Sequence, residues 1–82
     1  MRAGNKRMSE EALQGYMRDV CAELVEMAIA AKAQARDGDE FESGRRMAFY
    51  EVLSRLVDQA SAFSIDPESI GLAQAENPER FL

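Results

Sequence analysis

Glu23 and Glu26 stand three residues apart, a spacing that puts two carboxylates on one side of a helix, where helical bundles can hold a pair of metal ions. That chemistry also needs Glu-x-x-His partners, and the chain contains no histidine. With histidine go the commonest general base, the commonest metal ligand and the ordinary pH switch near neutrality. Arg45 and Arg46 follow Ser43 and Gly44, at a point where the first turns of a helix would add unpaired N–H groups to two guanidinium charges. They are candidate contacts for an anion or an acidic partner, with surface pairing to Glu42 or Glu26 as the simpler reading. Tyr50 combines an apolar ring with a hydroxyl and is a candidate interface anchor. As a catalyst it lacks a base or a companion nucleophile. The single cysteine, Cys21, has Asp19 and Glu23 as its nearest charged neighbours in sequence, which oppose thiolate formation. These residues point to no enzyme: no catalytic residue, metal ligand or cofactor is expected.

The elements that must carry these side chains are helical. Ser9-Glu10-Glu11 supplies a capping hydroxyl and two carboxylates at the positive end of a helix dipole. Leu13, Met17, Val20, Leu24, Met27 and Ala31 then recur at alternating steps of four and three, the seam of a packed helix. Arg36 and Gly38 suit its end, Gly38 by adopting a left-handed conformation. Asp39 and Glu42 have the form of a capping box, so a second helix restarts at once and must run antiparallel to the first. Phe49, Leu53, Leu56, Ala60 and Phe63 repeat the same steps, with Glu42/Arg46 and Glu51/Arg55 as pairs four apart. Gly44 fits either a close approach of another backbone, which is the preferred reading, or fraying. Asp66-Pro67 starts a helical turn that Gly71 ends, and Asn77-Pro78-Glu79 repeats that signal weakly.

The expected fold is therefore all-α: a basic flexible arm over 1–8, an antiparallel helical hairpin over 9–64, and a C-terminal segment over 65–82 with a short helical turn. Size and composition limit what this hairpin can do alone. Of 82 residues 46% are hydrophobic, but 13 of those 38 are alanine, which leaves 25 larger apolar side chains. Tyr16, Met17, Val20, Cys21, Leu24, Val25 and Met27 spread over about half the circumference of the first helix, and Tyr50, Val52 and Val57 widen the seam of the second. One neighbouring helix cannot cover such an arc, and a large exposed apolar face is unusual in a soluble monomer. Dimerisation into a four-helix bundle is expected, with Leu13, Met17, Val20, Leu24, Met27, Phe49, Leu53, Leu56 and Phe63 as the core and dimer seam. A different helical partner, or Ile65 to Leu72 folding back over the face, would be the rival cover.

Charge narrows the partners. Arg2, Lys6 and Arg7 give the arm +3, the net charge is −5, and the remainder therefore carries −8. Phosphate backbones are repelled, so nucleic acid is not an expected partner. The most apolar stretch, Val20 to Ala35, is interrupted by Glu23, Glu26 and Lys32, so no membrane span is expected either. One unpaired cysteine suits a reducing cytoplasm. Taken together, the sequence predicts a cytoplasmic, non-catalytic protein–protein interaction module that acts as a homodimer. The alternative is an acidic inhibitor, antitoxin-like or phage-encoded, that blocks a basic partner surface.

Overall fold

The computed structural model describes residues 9–82; the basic arm expected over 1–8 lies outside the described residues. Two long helices dominate, α1 (Glu10–Gln34) and α2 (Glu40–Ala62), followed by three 3₁₀ turns at Pro67–Ile70, Ala73–Ala75 and Pro78–Phe81. There is no strand among the described residues. The start of each helix follows from its cap. Ser9 Oγ accepts from the Ala12 N–H at 3.0 Å and the Asp39 carboxylate accepts from the Glu42 N–H at 3.1 Å. The Glu42 carboxylate does not return to complete the capping box but turns to Arg45.

α1 stops at Gln34, short of Arg36 and Gly38. Ala35 is extended, and its N–H is taken by the carbonyls of Ala31 and Lys32. Gly38 still does what only glycine does cheaply: at φ +86° it reverses the chain within the loop rather than closing the helix. α2 ends in a complete Schellman motif. The Ile65 N–H reaches the Ala60 carbonyl at 2.7 Å and the Ser64 N–H reaches the Ser61 carbonyl at 3.0 Å. The left-handed position belongs to Ser64, φ +57°, rather than to a glycine. Ser64→Gly is accordingly expected to stabilise the fold by about 0.5–1 kcal/mol, the left-handed penalty relieved exceeding the extra chain entropy. A melting temperature that falls or stays level in that variant would contradict the assignment.

The segment after α2 is a third layer. It turns at Gly71, φ +84°, directly against the Arg18 carbonyl of α1, and then runs back along the hairpin toward the loop. Gln14 Nε2 donates to the Ser69 carbonyl near one end, and Lys32 Nζ donates to the Arg80 carbonyl near the other. Leu72, Ala75 and Phe81 drop from this strap into a core shared with Cys21, Val25, Ala28 and Leu53. Ile65 to Leu72 thus folds back on the hairpin but leaves part of the apolar arc uncovered, and the chain beyond it continues the same layer. Among the described residues no polar side chain is buried.

The packing line departs from the expected seam on α1 and keeps Leu53 and Ala60 of it on α2. On α1 the buried residues are Cys21, Val25, Ala28 and Ala31, while Met17 and Leu24 are half-buried and Leu13, Val20 and Met27 are exposed. On α2, Leu53 and Ala60 are buried, Phe49 and Leu56 half-buried, and Phe63 exposed. The physical reason is size. Alanine and cysteine let the strap and α2 settle close to α1, so the small side chains face inward and part of the larger stripe turns outward. Gly44 is not a point of close approach within the chain: no atom of the described residues comes within 4 Å of where its Cβ would stand.

Candidate interaction face

At about 100° per residue, Leu13, Tyr16, Val20 and Met27 form a stripe roughly 120° round α1 from the buried Cys21, Val25 and Ala28. On α2, Phe41, Val52 and Phe63 lie roughly 90° from Leu53 and Ala60. Taken from N- to C-terminus, both offsets have the same rotational sense. In an antiparallel pair, equal senses fall on the same side of the plane that holds the two axes. The two stripes therefore share one broad face, with Leu24 and Leu56 along its midline. The strap covers the opposite face, where Val25 and Val57 point.

This uncovered face is large. Tyr16 is 60% exposed, Phe41 75% and Phe63 72%. At 150–250 Å² per aromatic side chain, these three alone leave on the order of 400 Å² of mainly apolar surface in water. With the aliphatic residues added, the face exceeds the largest apolar patch of a typical monomer, a few hundred Å². On the α2 flank it carries a groove of about 390 Å³ lined by Glu51, Val52, Arg55, Leu56 and Gln59. A second apolar hollow of about 330 Å³ lies between Leu13 and Met17 of α1 and Ile65 and Ile70 of the strap.

The polar candidates are not gathered into one site. Arg45 is held by its own chain: its Nη1 lies 3.5 Å from Glu42 Oε1 and its guanidinium stacks 5.5 Å from the centroid of the Phe49 ring. This is the single ion pair among the described residues, three apart rather than the expected Glu42/Arg46 or Glu51/Arg55. Arg46 and Tyr50, four apart, share a flank roughly 100–140° round the helix from Arg45. Tyr50 borders a polar hollow of about 250 Å³ with Glu51, Ser54, Arg55 and Asp58. Glu23 and Glu26 are both exposed, and no group of three or more candidate metal ligands occurs among the described residues. Cys21 is buried, and removal of the thiol from water, rather than neighbouring carboxylates, pushes its pKa up from the ordinary value.

Sequence reasoning identified Leu13, Val20, Leu24 and Met27 as one stripe but missed Phe41, whose position in the first turn of α2 precedes any periodic signal. Tyr16 and Val52 were legible only as excess arc, and both are exposed on this face. No family model, no curated protein and no solved structure matches this chain.

Proposed function

We propose that this protein is a non-catalytic helical interaction module that associates through the uncovered face as a homodimer, its two hairpins forming a four-helix bundle. The observation that supports the reading is the asymmetry of the hairpin: one face is sealed by the strap while the other leaves Leu13, Tyr16, Val20, Met27, Val52 and Phe63 in water. Burying such a stripe is the main driving force available to a chain of this size. A two-fold axis covers both copies at once with a single surface. The groove on this face is lined by Val52, Leu56 and the long side chains of Glu51, Arg55 and Gln59, which suits a packing surface rather than a reaction site. A free, buried thiol is compatible with a reducing compartment, and we take the cytoplasm as the module's location.

Sedimentation equilibrium of the full chain is expected to give a dimer, with a melting temperature that rises with protein concentration. Val20→Asp puts a charge at the centre of the face without touching the buried core. It should keep the helical circular dichroism and weaken association about a hundredfold, since the substitution acts twice in a symmetric dimer. A wild-type chain that stays monomeric up to about 100 µM would overturn the homodimer and leave the face to a different protein.

A further inference from the structure

Resting on that homodimer, we infer its topology: the two-fold axis runs parallel to the helices, so that α1 of each copy packs on α2 of the other and Glu23 pairs with the partner's Arg55. The inference comes from the two edges of the uncovered face. On the α1 edge stands exposed Glu23, backed by Asp19 and Glu26, and no basic residue occurs between Asp19 and Ala31. On the α2 edge stands exposed Arg55, beside the groove and flanked one turn away by the exposed carboxylates of Glu51 and Asp58. By helical arc Glu23 lies roughly 140–160° from the buried Cys21, Val25 and Ala28, and Arg55 lies the same distance from Leu53 and Ala60, so the two are mirror positions on opposite rims. They cannot meet within one chain, because the whole width of the hairpin separates them.

Two face-to-face arrangements give an all-antiparallel bundle. With the axis across the helices, α1 lies on its own copy, and the acidic edge is set against itself. With the axis along the helices, each acidic edge instead meets the partner's mixed edge, where Arg55 supplies a positive charge, twice over. Like charges at a rim select against the first arrangement and opposite charges favour the second.

Register supports the same choice. The loop is centred at position 37, so α1 and α2 residues whose numbers sum to about 74 stand side by side, as Cys21 and Leu53 do in the core. A two-fold axis along the helices preserves this level. Val20 then arrives opposite position 54, over the groove lined by Glu51, Val52, Arg55, Leu56 and Gln59, of which the last four enclose it. Those four positions, spaced three, one and three, are the lozenge that accepts a knob in coiled-coil packing. Glu23 and Arg55 are about one turn apart at this level. Side chains on a helix lean toward its N-terminus, so in an antiparallel pair the two lean toward each other. The extent of the surface is also adequate: the aromatic and aliphatic residues together offer on the order of 800 Å² per copy, the contribution of one partner to a standard stable interface.

Charge reversal in the full chain tests this. Glu23→Arg and Arg55→Glu are each expected to weaken the dimer about tenfold at low salt while leaving helicity intact. An equimolar mixture of the two variants restores opposite charges at both symmetric contacts, so it should recover a heterodimer of wild-type affinity by native mass spectrometry. In about 1 M salt the differences should shrink. If Glu23→Arg leaves the dimer unchanged or tightens it, or if the mixture fails to recover affinity, the topology is overturned while the homodimer stands. A monomeric wild type removes both.

Discussion

Truncating Phe81 to alanine is expected to cost about 3–4 kcal/mol, although the residue stands next to the last in the chain. Phe81 is 1% exposed and is the largest of the fully buried side chains. It fills the core from the strap side, against a wall that includes Leu53 and Ala28. The third 3₁₀ turn that presents it is held by backbone bonds of its own, by the Lys32 bond to Arg80 and by the stacking of the Arg80 guanidinium 5.7 Å from the Phe81 ring. Those contacts position the ring but cannot replace the volume it occupies. Small domains of this length carry a total stability of about 4–12 kcal/mol, so the loss is a large share of it. Urea unfolding followed by circular dichroism would measure it, with Leu82→Ala, a partly exposed neighbour, as the control expected to change stability by less than about 0.5 kcal/mol. A Phe81→Ala variant within 1 kcal/mol of the wild type would mean that the strap is an ornament on a self-sufficient hairpin.

That expectation also marks where the sequence stopped being informative. The helices were legible because their signals are local. Ser9 and Asp39 cap, the apolar residues recur at helical steps, and Ala62 ends α2 where the pattern ends. The strap has no such pattern. Its turns are three or four residues long, and Leu72, Ala75 and Phe81 are spaced by three and six, which suits neither a helix face nor a strand. Their burial is decided by where Gly71 directs the chain, a tertiary fact. On α1 most of the seam was read one position off for a related reason, while on α2 the expected Leu53 and Ala60 are buried. Weighting large side chains favours Leu13, Val20 and Met27 as the inward line of α1, whereas the buried line runs through Cys21, Val25 and Ala28 and meets the expected seam only at Ala31. The surplus apolar arc was read correctly as surplus. What the sequence could not say was which part of it the chain's own third layer would cover.

Gly71→Ala should be the most damaging substitution for its size, at about 3 kcal/mol or more. Two independent causes converge on this residue. Its φ of +84° lies in the left-handed region, where an L-residue pays about 1 kcal/mol. A Cβ added there would also meet the Arg18 carbonyl oxygen at 2.5 Å, with the carbonyl carbon and Cα of Arg18 at 3.2 Å. All three atoms are backbone within α1, so no rotamer change can clear them, and the strap itself must lift. Lifting it draws Leu72 out of the core and loosens the path to Phe81. The two causes can be separated, because asparagine tolerates the left-handed region but still carries a Cβ. If the approach to Arg18 dominates, Gly71→Asn should cost nearly as much as Gly71→Ala; if backbone strain dominates, asparagine should recover most of the loss. Gly44→Ala is the matched control: it sits inside α2 with open space around it and should gain about 1 kcal/mol of helix propensity. Chemical denaturation of the three variants, together with hydrogen exchange at the Leu72 amide, which donates to the Pro67 carbonyl at 2.8 Å, would report both the energy and the place of the damage. Equal stabilities for Gly71→Ala and Gly44→Ala would place the strap elsewhere than against Arg18, and the sealed face with it.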